Sequence, residues 1–413
     1  SSNVDQGRVM SVPAPPPEPV RAGSVPVTSP VAGGRPAATP SSIPLSGECD
    51  ARFGKVRDVL ARNMAAGDEV GCAVAVTVDG HPVVDLWAGY QDAARTVPWE
   101  AHTITDMKSV GKSIFALSVL RLVGQGVIDL DAPVARSWPE FAQGGKGELP
   151  VRLLLGHLAG LPYADAAPVG SLYTPGVLSA ALAAQTPEWP PGTQHCYHSF
   201  TFPPLCAELV RHASGRSAHD YHRDEIATPL GAEYWLGLDD AQQPLCAHYI
   251  ETPGTPSLEG MKRVTTSPLY RAWRPLPRDE DYNSVAWRRY AGHGNARGMA
   301  RIYAALAMGG TIDGYEVLSA DVLREATAAT WQGQDFMTKR PFSMGLGFML
   351  PGPSFAIGQG ARNFGHPGMG GAIAFADPDR RMSFAYSPNR MSPVSDIGPW
   401  ATALIEAVYA CVG

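Results

Sequence analysis

No apolar run in this chain is long enough to cross a bilayer, so no transmembrane helix is expected. There is no C-x-x-C pair and no internal repeat. Six cysteines, Cys49, Cys72, Cys196, Cys206, Cys246 and Cys411, are scattered through 413 residues. A chain of this length needs no disulfide staples, so they read as reduced thiols and a cytoplasmic location is expected. Positive charge is in short supply: 33 Lys and Arg against 39 Asp and Glu give a net charge of −6. That balance argues against a nucleic-acid groove or an anionic membrane surface as partner. The His-x-x-His pairs His195/His198 and His219/His222 lack the glutamate of a zinc-protease helix. No metal and no cofactor is expected. Residues 1–44 are rich in Pro, Ala and Ser, with no apolar block to nucleate a core and no hydrophobic stretch after a basic start. They read as a disordered arm and not a signal peptide, with the residues before Met10 compatible with an expression-tag remnant.

What is present is a body with enough apolar residues, 45%, for a large core. It is expected over residues 45–413, with its packed part starting near Asp50. Mainly apolar runs at 72–78 and 82–87 flank Asp79-Gly80, a hairpin signal, and runs at 371–376 and 381–386 flank a second turn. Between them, helical periodicity predicts helices at 109–124, 175–185, 200–213, 217–227, 295–308 and 319–330, with a last helix from 396 to 411. The expected class is α/β (α+β): an antiparallel sheet built from both chain ends and covered by helices, with 100–290 as an inserted, mainly helical lobe.

The most informative stretch is Thr105-Asp106-Met107-Lys108-Ser109-Val110-Gly111-Lys112-Ser113-Ile114, where Ser109 precedes Lys112 by three positions as the helical pattern begins. Residues three apart share a helix face, so the Lys112 amine can reach the Ser109 hydroxyl. A hydroxyl becomes a nucleophile when a base takes its proton, and a lysine serves if burial lowers its proton affinity. Alone, the pattern is equally that of a solvated helix start. Gly111-Lys112-Ser113 imitates the end of a phosphate-binding loop, but the glycine that loop needs five residues earlier is Asp106, whose carboxylate would repel phosphate.

Two further segments add weight. Residues 190–199 carry Tyr197 and Ser199 after a Pro-Pro-Gly turn, and residues 363–371 carry His366-Pro367-Gly368-Met369 before an apolar strand. In order and spacing these resemble the serine β-lactamase and penicillin-recognising enzymes, whose three elements are Ser-x-x-Lys, Tyr-x-Asn/Ser and Lys-Thr-Gly or a substitute such as His-x-Gly. The likeness is closest to class C β-lactamase-like carboxylesterases, the family VIII esterases. Framework segments at 126–134, 138–141, 153–162 and 229–232 extend it over about residues 50–410. The resemblance implies a β-lactamase/transpeptidase-like fold and an acyl-transfer site. Ser109 would be the nucleophile, with Lys112 and Tyr197 sharing its proton. The backbone N–H groups of Ser109 and Met369 would form the oxyanion hole. Ser199, His366 and Gly368 would contact substrate.

The departures carry information. His366 and Ser199 stand where class C β-lactamases have lysine and asparagine. A neutral histidine binds a free carboxylate poorly, which favours esters or amides without one, although His366 also reads as a structural hydrogen-bonder. Segment 249–293 interleaves prolines with Tyr270, Trp273, Tyr282, Trp287 and Tyr290. It is expected to border the cleft and select a bulky substrate, or else to pack back on its own lobe. The reading is a serine hydrolase acting on a small-molecule ester or amide. An acyltransferase or amide-forming enzyme on the same scaffold is the alternative, and a non-catalytic binder a third. Substrate identity and oligomeric state are not legible.

Overall fold

The computed structural model describes residues 43–174, 176–252, 268–277, 281–393 and 397–413. The N-terminal arm up to residue 42 and residues 253–267 of the proline-rich segment lie outside the described residues. Residues 43–413 form one compact unit. Its centre is a six-stranded antiparallel sheet of β1 (Leu45–Cys49), β2 (Gly71–Val78), β3 (His81–Gly89), β4 (Phe364–Pro367), β5 (Ile373–Asp377) and β6 (Met382–Pro388), in the order β1-β3-β2-β6-β5-β4. The two chain ends meet where β2 pairs with β6, Val76 opposite Phe384. Asp79 and Gly80 both take positive φ, +51° and +78°, as the expected two-residue hairpin turn requires.

The packed body begins earlier than Asp50. β1 pairs Leu45 with Ala88 and Cys49 with Val84 at the sheet edge. Five residues of half-buried, glycine-containing strand give too short a period for sequence to register.

The two sheet faces are sized differently. Val74, Val76, Phe375 and Phe384 pack against α1 (Gly54–Ala65) and α5 (Gly398–Val412). Ala73, Ala75, Ala374 and Ala385 face the other way, towards α4 (Ala296–Ala307) and α2 (Val110–Gly124). Short side chains let the backbones approach, and the Ser383 hydroxyl donates to the Ala300 carbonyl at 2.8 Å across that face. With both faces covered, the central strands β2, β5 and β6 are buried along nearly their whole length, whereas β1 and β3 towards the edge alternate. α2 is buried on nearly all sides, as a helix apolar all round should be. It packs against α3 (Phe202–Ser214), the main helix of the inserted lobe.

The predicted helices appear within a few residues of their expected limits, at Val177–Ala184, Phe202–Ser214, Ala296–Ala307 and Ala320–Ala326 among others. The stretch expected as one helix at 217–227 is Ala218–His222 followed by a π-turn over Arg223–Ala227. Sequence missed a three-stranded sheet of Thr105–Asp106, Gly292–Gly294 and Tyr234–Leu236, whose strands are too short to show periodicity. It pairs Asp106 with His293 just before Ser109.

Candidate active site

Ser109 caps the N-terminus of α2, and the turn that delivers it is strained: Lys108 has φ +52°, unusual for a residue with a side chain. The Lys112 Nζ lies 3.0 Å from the Ser109 Oγ and 5.0 Å from the centre of the Tyr197 ring. Burial pushes the Lys112 ammonium down to about 7, with the Asp106 carboxylate acting against the shift. The neutral amine that a proton acceptor must present is therefore within reach near physiological pH.

Tyr197 is held by its neighbours. Its backbone N–H donates to the Asp335 carboxylate at 2.6 Å, and its ring stacks on His157 at 4.9 Å. Asp335 is fully buried and also accepts from the Thr338 N–H at 2.7 Å and contacts His195 Nδ1 at 3.1 Å. Sequence analysis missed this anchor; Asp335 followed three residues later by Thr338 is a local capping signal that could have marked it. His366 bonds the Pro367 carbonyl through Nδ1 at 2.6 Å. A carbonyl only accepts, so the ring proton is on Nδ1, and Nε2 accepts from the Tyr197 hydroxyl at 3.3 Å. Burial first, and the nearby Lys112 second, push His366 down to about 3, so it is neutral at physiological pH.

A lysine cation beside Tyr197 would favour its phenolate. Instead, desolvation holds the tyrosine well above its ordinary value, with Asp335 adding to the rise and a hydrogen bond with Ser109 opposing it. Burial outweighs that hydrogen bond, so the phenol keeps its proton.

Gly368 ends β4 against the turn before Ser109: a Cβ there would lie 2.4 Å from the Met107 carbonyl oxygen. Its lack of a side chain lets the strand end pack against the nucleophile turn, and Gly368 also lines the cavity described below. Gly370 has φ +92° and would carry a Cβ 2.7 Å from the Tyr249 hydroxyl. Between these glycines, the Met369 N–H, like that of Ser109, has no acceptor among the described residues. Two such donors beside a nucleophile can hold a developing oxyanion.

Ser109, Lys112, Tyr197, Ser199, His366, Gly368 and Met369 all line one cavity of about 400 Å³. Every sequence-predicted site residue is brought together there. Trp273, Tyr282, Trp287 and Tyr290 form part of its wall, so these four aromatics of segment 249–293 border the cleft, with the side chain of Tyr270 outside the described residues. Phe115, Phe200, Phe342 and Phe355 complete a largely apolar lining.

The paired histidines do other work. His198 donates from Nδ1 to the Cys196 carbonyl at 2.5 Å and accepts the Leu161 N–H at 3.1 Å, while His222 bonds the Tyr234 carbonyl at 3.0 Å. No cluster of potential metal ligands occurs among the described residues, and none of their helices is long and apolar enough to cross a membrane.

The sheet, its helical covers and the inserted lobe define a β-lactamase/transpeptidase-like fold. The β-lactamase family model matches residues 56–408, and the chain belongs to that family. It is 32% identical over 372 residues to the esterase/β-lactamase LipL of Mycobacterium tuberculosis, spanning 84% of this chain and 83% of LipL. Among solved structures, a penicillin-binding protein homolog from Caulobacter crescentus superposes with a TM-score of 0.81 at 35% identity, covering 89% of this chain and 100% of the homolog. A family VIII carboxylesterase gives a TM-score of 0.81 at 34% identity, with coverage of 89% and 100%. The resemblance read from the sequence therefore holds, and the protein is a member of the β-lactamase-fold hydrolases and esterases.

Proposed function

We propose that this protein is a serine hydrolase that cleaves ester or amide bonds of a bulky small molecule through an acyl-enzyme on Ser109. The observation that carries the reading is the 3.0 Å contact between the Ser109 hydroxyl and a buried Lys112 amine whose pKa lies at about 7. Neutral Lys112 takes the Ser109 proton as Oγ attacks the substrate carbonyl. The N–H groups of Ser109 and Met369 receive the tetrahedral oxyanion. The C–O or C–N bond then breaks, and the departing group takes the proton from the Lys112 ammonium, directly or through the Tyr197 hydroxyl. Water repeats the sequence on the acyl-enzyme, releasing acid and restoring Ser109. Gly368 supports the turn, Ser199 and His366 face the bound molecule, and no cofactor is called upon. The cytoplasmic location expected from the cysteines belongs to the same proposal.

Transfer to an alcohol or amine is the second reading, favoured by the aromatic wall of Trp273, Tyr282, Trp287 and Tyr290, on which an acceptor could stack. Intact mass spectrometry after exposure to activated esters and a fluorophosphonate tests the main reading. A single acyl or phosphonyl adduct on Ser109 is expected, and Ser109→Ala should lose both the adduct and at least ~10³ in turnover. Near-normal activity in the alanine variant would sink the assignment.

A further inference from the structure

A second lysine stands one residue before the candidate nucleophile, and nothing above gives it a task. The Lys108 side chain is only 5% exposed. Its Nζ lies 2.6 Å from Asp106 Oδ2, and its own backbone N–H donates to Asp106 Oδ1 at 2.7 Å. One carboxylate thus grips both ends of a residue held at φ +52°, across the turn that delivers Ser109. The indole N–H of Trp287 donates to the same Oδ2 at 2.5 Å. Above the ammonium lie the rings of Tyr282, Tyr249 and Trp287, with centres at 3.1, 3.8 and 5.0 Å. An ammonium attracts such rings strongly once it is desolvated. All three aromatics belong to segment 249–293, so the pair fastens the cavity's aromatic wall to the nucleophile turn. A buried ion pair contributes little net stability, which directs attention to what its geometry and charges do locally.

We propose that Asp106 and Lys108 are positioning residues, a charge-balanced clamp that holds the Ser109 turn against its aromatic wall and sets the field felt by Lys112. The proposal rests on the acyl-enzyme reading above. Facing Lys112 are Ser109, Tyr197, His366, His157 and Asp106. Facing Asp106 are Lys108, Trp287, His293, Tyr234, Tyr249 and Cys246, with Arg288 beyond His293 and Cys246. Burial lowers the proton affinity of the three histidines and raises that of the tyrosines and Cys246, in each case against the charged form. The fixed charge that acts on Lys112 is the Asp106 anion, and Lys108 is the buried counter-ion of that anion. Removing the anion withdraws the charge that stabilises the Lys112 ammonium, which then gives up its proton more easily. Removing the Lys108 cation leaves the anion unbalanced, and Lys112 holds its proton more tightly.

The test is the pH dependence of kcat/KM on a short-chain aryl ester between about pH 5 and 9, with fluorophosphonate labelling rates as a parallel readout. Asp106→Asn should move the acid limb down by about half a unit or more, and Lys108→Met should move it up by a similar amount. The double variant should return towards wild type, and Lys108→Arg, which keeps the charge, should hold the wild-type limb. Each single variant should also lose about tenfold in kcat as the turn loosens. Loss of activity with the limb unmoved in both single variants would overturn the proposal, since a purely structural role weakens the turn without opposite shifts. Should Asp106→Asn fail to fold, the Met and Arg variants of Lys108 carry the same test: coincident limbs refute it. The two readings fail separately. Turnover by Ser109→Ala removes the acyl-enzyme reading whatever the clamp variants do, whereas an inactive Ser109→Ala with unmoved clamp limbs removes the clamp alone.

Discussion

At the scale of single residues, the chemistry depends on which groups keep their protons. An exposed lysine with its ordinary pKa is almost wholly cationic at neutral pH and cannot accept the serine proton. Lys112 is brought down to about 7 because its amine is buried, and it stays that high because Asp106 stabilises the ammonium. Activity requires the neutral amine, so kcat/KM should rise with pH through about 7 and level off above it. A limb that keeps climbing towards the ordinary lysine range would show that Lys112 is not the base. Tyr197 remains a phenol with its proton towards His366, placing it to relay a proton rather than to start the reaction. Lys112→Ala and Tyr197→Phe should therefore each be nearly as impaired as the double variant, because one broken link stops the relay. Independent, multiplicative losses in a double-mutant cycle would count against the unit.

At the scale of elements, the turn after β4 and the loop before β2 each make a measurable demand. Gly368→Ala would drive a Cβ to 2.4 Å from the Met107 carbonyl, and backbone has no rotamer with which to retreat. Overpacking of this kind costs about 1–3 kcal/mol, so a lower melting temperature is expected together with slower labelling of Ser109. An alanine variant that labels at the wild-type rate would show that the contact does not position the turn. On the far side of the sheet, Glu69 is completely buried and accepts a hydrogen bond from Tyr386 on β6. Burial, outweighing that bond, raises its pKa from 4.5 to about 7. The folded state therefore holds a proton that the unfolded chain releases. This acid's stability contribution is complete below 4.5, declines as pH rises, and is lost above about 7. Glu69→Gln removes the titration, so wild type should lose on the order of 3 kcal/mol relative to the variant across that window. Parallel stability curves for the two proteins would refute the linkage.

At the scale of the whole molecule, the cavity selects by shape and by charge. Lys108 is committed to Asp106, Arg340 is held by the Ser354 carbonyl and the Phe355 ring, and His366 is neutral where class C β-lactamases carry lysine. The lining near Ser109 is otherwise apolar and aromatic. Short-chain aryl esters should accordingly be turned over far better than penicillins or cephalosporins, whose ring carboxylate meets no uncommitted cation there among the described residues. LipL carries both esterase and β-lactamase in its name, so the comparison has a natural reference. Equal kcat/KM for the two substrate classes would show that the missing cation does not matter.

Sequence alone determined the parts of this protein that depend on short-range pattern. Two hairpins, the long helices and the Ser109–Lys112 spacing follow from periodicities of two and 3.6 and from turn chemistry, all contained within a few neighbouring residues. Chain order and separation of Ser-x-x-Lys, Tyr197-x-Ser199 and His366-x-Gly368 were enough to indicate the family. Only the tertiary structure decided the rest, because it depends on contacts between distant segments. β1 and the three short strands beside Ser109 have no local signature, and the Asp335–Thr338 capping signal does not record the reach of Asp335 to Tyr197. The proton on Tyr197, the neutrality of His366 and the low proton affinity of Lys112 are consequences of burial, which no spacing records. Asp106 shows the division most clearly. In sequence it was only the residue that spoiled a phosphate loop, and folding places it between Lys108, Trp287 and Lys112, where its single charge bears on all three.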